Sequence, residues 1–418
     1  MTTLTYVFLA ILSFDFILER FLAYLNVRNV SEKLPEALKG LYDEEKYARQ
    51  QAYFKANSRF GMLTSLISFH VVLFMIIFGG FAFVNSVVGE VTVNPILISL
   101  LYFGILLFAN DIIGTPFEVY DHFVIEQRFG FNKMTPAVFV GDKLKGWLLM
   151  AIIGGGLLAL INWIYLLTPD YFWLWAWLAM AVFSIFMNMF YSNLIVPLFN
   201  KQKPLEEGEL RTAIEAFAQK AGFKLTNIFV MDGSKRSTKA NAYFSGLGPK
   251  KRVVLFDTLI EELTTEEIVA VLAHEIGHYK KKHTLTMLFI ALLNSLVMLS
   301  LLGLFLGNDS LAQALEVENH AFHINILAFG LLYAPISLVL GVLANLLSRK
   351  NEYQADAFAA QYGYADALIE ALKKISVKAL SNLQPHPWYV FFHYSHPTLL
   401  QRMEALSEPR LSQDCLKQ

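Results

Sequence analysis

The sequence predicts a mostly α-helical membrane protein, in which seven spanning helices frame a small water-facing α+β segment. Three observations carry this prediction. The 418 residues are 55% hydrophobic and only 17% charged, with a mean hydropathy of +0.45, which is too apolar for an ordinary water-soluble domain. Apolar runs long enough to cross a bilayer recur near residues 4–26, 61–86, 95–116, 146–167, 171–199, 284–307 and 323–347. The connections between them divide by charge, Lys and Arg being confined to alternate loops.

That division orients the chain. The loop after the first run holds Arg28, Lys33, Lys39, Lys46, Arg49, Lys55 and Arg59, and the loop after the third holds Arg128, Lys133 and Lys143. The segment after the fifth run and the C-terminal tail are also basic. The other connections, 87–94, 168–170 and 308–322, contain no Lys or Arg. Cytoplasmic loops carry the Lys/Arg excess, so the N-terminus is expected outside and both 201–283 and the C-terminus in the cytoplasm. Asp15, Glu19 and Arg20 in the first run and Asp111 in the third are costly in lipid, so each must face protein or water. They mark either internal ion pairs or a hydrated interior. His70, alone in the second run, is expected to be a hydrogen-bonded core residue.

Composition also excludes some classes. A net charge of −1 offers no basic face for nucleic acid. The single cysteine, Cys415, excludes an internal disulfide framework and a thiolate-ligated metal site. No basic segment precedes the first apolar run, so no cleaved signal peptide is expected. The terminal Cys415-Leu-Lys-Gln418 has the spacing of a prenylation box, but Lys417 stands where an aliphatic residue belongs, so the match is read as chance.

The pattern divides the chain into 1–200 with five spans, a cytoplasmic module at 201–283, two further spans at 284–347, and C-terminal cytoplasmic helices at 348–418. Within the module, Glu206 to Ala221 has helical periodicity ending at Gly222. Lys224 to Met231, Asn241 to Leu247 and Arg252 to Asp257 read as strands, the last two joined across a Gly-Leu-Gly-Pro-Lys turn. A helix then begins with Thr264 or Thr265 as N-cap, acids in its first turn, and Ile268, Val271, Leu272 and Ile276 at helical spacing.

That helix carries His274-Glu-Ile-Gly-His278. His274 and His278 sit one turn apart on one face, so both imidazoles can reach a single Zn²⁺. Two neutral nitrogen ligands leave the metal strongly Lewis acidic, and Glu275 beside them is placed to take a proton from an activated water. Such a site hydrolyses amide bonds. By chance the pattern arises roughly once per hundred chains of this composition, but here it lies on a helix, as the chemistry requires. A third ligand is needed, and Glu352 and Asp356 stand i and i+4 beyond the last span. Alone they would be a solvated helix face. With the histidines, Glu352 completes a His₂Glu set that leaves one position open, and Asp356 can accept a hydrogen bond from a ligand imidazole.

The two motifs together resemble the gluzincin membrane proteases. Ala240-Asn-Ala-Tyr-Phe-Ser-Gly-Leu-Gly248, Arg252-Val-Val-Leu-Phe-Asp-Thr-Leu259, Phe129-Gly-Phe-Asn-Lys-Met-Thr-Pro136, Val196-Pro-Leu-Phe-Asn200 and Ser395-His-Pro-Thr-Leu-Leu-Gln-Arg402 narrow the resemblance to the type I CAAX prenyl protease family. It implies seven membrane helices around a large water-filled chamber, with one zinc at its cytoplasmic end bound by His274, His278 and Glu352. It implies that Glu275 is the general base and that His396 hydrogen-bonds substrate or oxyanion. Asp356 matches an acidic residue beside the site, described as a proton donor; orienting a histidine suits its chemistry better. Asn241, with Ala242 and Tyr243, would lie on an edge strand to which a peptide substrate adds. Arg402 is expected in an internal ion pair.

The implied reaction removes the last three residues after a prenylated cysteine. The short connection between spans 6 and 7 looks more like a bacterial member of the family, in the inner membrane, than a eukaryotic one in the endoplasmic reticulum. A broader membrane quality-control protease is the alternative within enzymes. A non-catalytic chamber or transporter is the alternative outside them, and the general base Glu275 argues against it.

Overall fold

A computed structural model describes residues 1–30, 44–223, 227–245 and 252–407. Lys33, Lys39, the turn at 246–250 and the terminal 415–418 lie outside the described residues.

The membrane part begins with Thr3–Arg28 (α1), Glu44–Ile77 (α2), Gly80–Val91 (α3) and Pro95–Tyr120 (α4). It continues through Pro136–Leu149 (α5), Gly155–Leu167 (α6), Phe172–Leu194 (α7) and the single turn Val196–Phe199 (α8). Asn94 and Thr135 cap α4 and α5 through their side-chain oxygens, each with proline at the first helical position. Six helical stretches among the described residues are long and apolar enough to cross a bilayer: Glu44–Ile77, Pro95–Glu126, Pro136–Leu167, Pro169–Phe199, His283–Phe305 and Phe322–Gln361. With 26 residues α1 is long enough to be the seventh, although Asp15, Glu19 and Arg20 interrupt its apolar run.

The second span differs from its expected limits. It ends at Ile77, where Gly79 adopts φ 65°, and the chain turns into α3. Left-handed backbone suits glycine, and a Cβ here would run into Glu316 Oε2. His70 accordingly lies on an exposed face of α2, bonded only to the Leu66 carbonyl, and is not a core residue. Its Nδ1 bonds a carbonyl of its own helix, and its ring lies beside Phe69 and Phe74.

The helices are pinned at their ends and open between them. Phe8, Ile76, Phe81, Tyr102, Leu311, Leu315 and Ile324 form a buried cluster at the end remote from the module. Only 6–11% of each apolar window is buried. With so little burial along their lengths, the helices do not pack as a tight bundle. Asp111 of the third span pairs with Lys143 at 2.7 Å; in the first span Glu19 lies 3.5 Å from His393 Nε2, and Arg20, its Nε buried without a hydrogen bond, stands over the Phe16 ring.

The module follows as Gln202–Pro204 (β1), Glu209–Lys220 (α9), Ile228–Met231 (β2), Ala242–Ser245 (β3), Arg252–Phe256 (β4), Asp257–Glu262 (α10) and Thr265–Lys280 (α11). The strands lie in the order β1-β2-β4-β3. β4 is parallel to β2 and antiparallel to β3, with Tyr243 opposite Val254. β1 was not expected; three residues are too few to show alternation. β2 ends at Met231 as expected, and 224–226, where the expected strand begins, lie outside the described residues.

After α11 the chain turns at Lys282 (φ 60°) and enters His283–Phe305 (α12), Asp309–Gln313 (α13) and Phe322–Gln361 (α14). Its last helices are Ala365–Lys378 (α15), Pro387–His393 (α16) and Leu399–Ser407 (α17). At 1.5 Å per residue the 40 residues of α14 reach about 60 Å, twice a bilayer's hydrocarbon core. Its final turns thus leave the membrane and join the module. Phe358 and Ala359 of α14 and Leu368 and Ala371 of α15 share a core with Ile214, Leu255, Ile268, Leu272 and Ile276.

Candidate metal centre

The site is built on the face where α11 meets α14. Thr264 begins α11 with a reciprocal cap: its hydroxyl accepts from the Glu267 N–H, and Glu267 Oε2 accepts from the Thr264 N–H at 2.8 Å. Ile268, Leu272 and Ile276 bury one stripe of the helix. Gly277, inside the histidine motif, lies against α14, where a Cβ would come within 3.0 Å of Phe358 Cβ and 3.1 Å of Ala355 Cα. The absent side chain brings the two helices close enough for ligands on each to converge.

They do converge. His274 Nε2 and His278 Nε2 are 3.1 Å apart. Glu352 Oε2 is 3.5 Å from His274 Nε2, and Oε1 is 3.2 Å from His278 Nε2. Zinc with bonds of about 2.0–2.1 Å in tetrahedral geometry places its ligand atoms about 3.4 Å apart, and the three separations bracket that value. Glu352 is 4% exposed and its Oε2 is buried with no hydrogen-bond partner. Arg402 Nη1 approaches that oxygen to 3.5 Å without a hydrogen bond; a buried carboxylate oxygen needs a closer partner, which a cation bound between the three residues would supply. The donor set therefore fits zinc.

Behind the ligands stands a second ring of contacts. His274 Nδ1 donates to Asp356 Oδ1 at 2.8 Å. Arg402 holds Asp356 bidentately, Nε to Oδ2 at 2.8 Å and Nη2 to Oδ1 at 2.6 Å. The expected internal ion pair of Arg402 is this one, and Asp356 lies on the side of His274 away from the ligand nitrogens. Burial lowers the proton affinity of His274, but the Asp356 carboxylate outweighs it and raises the pKa above the ordinary 6.5.

Glu275 is half-buried on the same helix. His396 extends its Nε2 to 3.4 Å from Glu352 Oε1, with 62% of its side chain exposed. Arg349 and Asn345 of α14 hold the preceding segment by donating to the carbonyls of Val390 and Phe392. Asn241 lies just before β3 and not within it, and its Oδ1 accepts from the Ala242 N–H. Ala242 and Tyr243 are on β3, an edge of the sheet. The Tyr243 hydroxyl bonds Ser192 of α7, and a cavity of about 660 Å³ lined by Asn188, Tyr191, Tyr243, Phe244 and Thr284 opens beside the strand.

Two features escaped the sequence. Gly277 reads there only as an unspecified motif position. His283, five residues past the second ligand and 5% exposed, meets His278 Nδ1 at 3.0 Å. The signal was a third histidine one turn beyond the motif, but the break at Lys282 hid its direction.

The chain matches known proteins along nearly its whole length. Residues 23–201 match the CAAX prenyl protease N-terminal domain with five membrane helices, and residues 204–410 match peptidase family M48. The CAAX prenyl protease 1 of Saccharomyces cerevisiae is 35% identical over 94% of this chain and 92% of its own. The homologue from Homo sapiens is 31% identical over 96% and 95%. The crystal structure of S. mikatae Ste24p superposes with a TM-score of 0.93 at 34% identity, covering 98% of this chain and all of that one.

Proposed function

Because this chain belongs to peptidase family M48 and is a multi-pass membrane zinc metalloprotease, we propose that it cuts a prenylated peptide near its C-terminus, releasing the three residues after the lipidated cysteine. His274, His278 and Glu352 hold the zinc in this reading. The observation that carries it is their convergence at 3.1–3.5 Å around a buried carboxylate oxygen that makes no hydrogen bond.

Bound zinc supplies a Lewis acid that polarises the scissile carbonyl and acidifies the attacking water. Glu275 takes the proton from that water and delivers it to the leaving amine. His396, exposed beside Glu352, donates to the oxyanion. Asp356, held by Arg402, fixes the His274 tautomer with Nε2 free to bind metal. The substrate lies extended along β3, bonding its backbone at Asn241, Ala242 and Tyr243. The basic loops support an orientation with the N-terminus outside and the catalytic module and C-terminus in the cytoplasm.

The test uses the purified protein and two peptides of one sequence, one farnesylated on its Cys-aliphatic-aliphatic-X cysteine and one unlipidated, with and without 1,10-phenanthroline. Chelator-sensitive cleavage of the lipidated peptide alone supports the proposal. Equal cleavage of both transfers the enzyme to general membrane proteolysis, and cleavage of neither by zinc-loaded protein refutes it. Glu275→Gln is expected to lower cleavage by about 10²–10⁴ while zinc stays bound, as measured by metal content.

A further inference from the structure

We infer that His283 and Gln354 are positioning residues that lock His278 in the tautomer able to bind zinc. The inference rests on His278 being a metal ligand. His283 opens α12, directly after the left-handed turn at Lys282. Its Nδ1 lies 3.0 Å from His278 Nδ1, and its Nε2 lies 2.9 Å from Gln354 Oε1 on α14. The two rings cross at 77° with centroids 5.0 Å apart.

With the Gln354 carbonyl oxygen turned toward His283, donor and acceptor bookkeeping permits one arrangement. The Gln354 carbonyl oxygen only accepts, so His283 Nε2 carries hydrogen. A neutral His283 then has a lone pair on Nδ1, and His278 Nδ1 must donate to it. His278 Nε2 is left as a lone pair, and it is the atom facing His274 and Glu352. The opposite proton placement would put hydrogen on His278 Nε2 and block the metal.

The two ligand histidines are thus oriented by different means. His274 leans on a carboxylate neutralised by Arg402, whereas His278 leans on a neutral imidazole and amide. The second device adds no charge to a site that already holds Glu352, Asp356 and Arg402. It also ties three helices, α11, α12 and α14, to one proton arrangement, and α12 is a membrane span.

The test measures zinc affinity by chelator competition on the full-length protein in detergent, with cobalt substitution to read ligand geometry from the visible spectrum. His283→Phe removes the acceptor at similar volume and should weaken zinc binding about 10–100-fold, the effect typical of residues that orient metal ligands. His283→Asn returns an acceptor where Nδ1 stood and should restore most of that loss. Gln354→Met leaves the acceptor in place but frees its tautomer, so a several-fold loss is expected, smaller than that of His283→Phe. Wild-type affinity and an unchanged cobalt spectrum in both His283→Phe and Gln354→Met would overturn the inference. So would a loss in His283→Phe that His283→Asn does not reverse. If His283→Phe fails to fold, Gln354→Met decides alone, wild-type affinity overturning the inference. His278→Ala is the control for the underlying reading: stoichiometric zinc retained there would sink the ligand assignment itself.

Discussion

Removing Arg402 tests whether the ion pair behind His274 acts as a unit. Asp356 is 2% exposed and its carboxylate accepts two short hydrogen bonds from the guanidinium. Arg402→Met keeps the aliphatic stem but leaves that carboxylate buried without its cation. Breaking a buried pair from one side costs about 3–5 kcal/mol. Asp356→Asn preserves an oxygen acceptor for the His274 Nδ1–H but leaves Arg402, whose side chain is 10% exposed, with the more distant Glu352 carboxylate at 3.5 Å, at a similar or smaller cost. The double variant removes both charges, so its loss should fall short of the sum by about 3 kcal/mol, the upper end for residues in contact. The assay is denaturant unfolding of the zinc-loaded protein in detergent, followed by near-ultraviolet dichroism, for the four members of the cycle. Additivity within about 0.5 kcal/mol would refute the reasoning, because it would mean that each side chain acts through other contacts.

Four further outcomes follow from the same geometry. His396→Ala should lower kcat by about 10²–10³ with KM and zinc content little changed; an unaltered kcat would remove His396 from the oxyanion. Zinc binding must displace a proton from His274, whose pKa lies above 6.5, so apparent zinc affinity should decline as pH falls through that raised value, and Asp356→Asn should move the decline to lower pH. In the metal-free protein the raised pKa stabilises the fold below pH 6.5, and this contribution is lost as pH rises through the folded value; melting of apoprotein across that range checks the sign. Gly277→Ala should push α11 and α14 apart, costing about 1–3 kcal/mol of stability and weakening zinc binding; a variant of wild-type stability and affinity would show that the helices have slack.

Local chemistry in the sequence was enough to place His274, Glu275 and His278 on one helix with its Thr264 cap, because a helix's period and its cap depend on neighbours within a few positions. It was also enough to count the spans, since a bilayer reads length and polarity alone. The break at Gly79 and the shortness of β1 were not legible, because each depends on what the chain meets elsewhere: Glu316 in one case, β2 in the other. The pairing of Glu352 with the histidines was suggested by residue type, but nothing local fixes the approach of helices about 75 residues apart in the chain. That approach is set by Gly277 against Ala355 and by a shared core running from Ile214 to Ala371. Tertiary structure alone decided that Arg402 clamps Asp356 and that His283 faces His278, since hydrogen-bond direction depends on helix rotation and on where the turn at Lys282 aims the next helix. The sequence determined which atoms can bind zinc; packing between distant helices determined that His274, His278 and Glu352 bring theirs to one point.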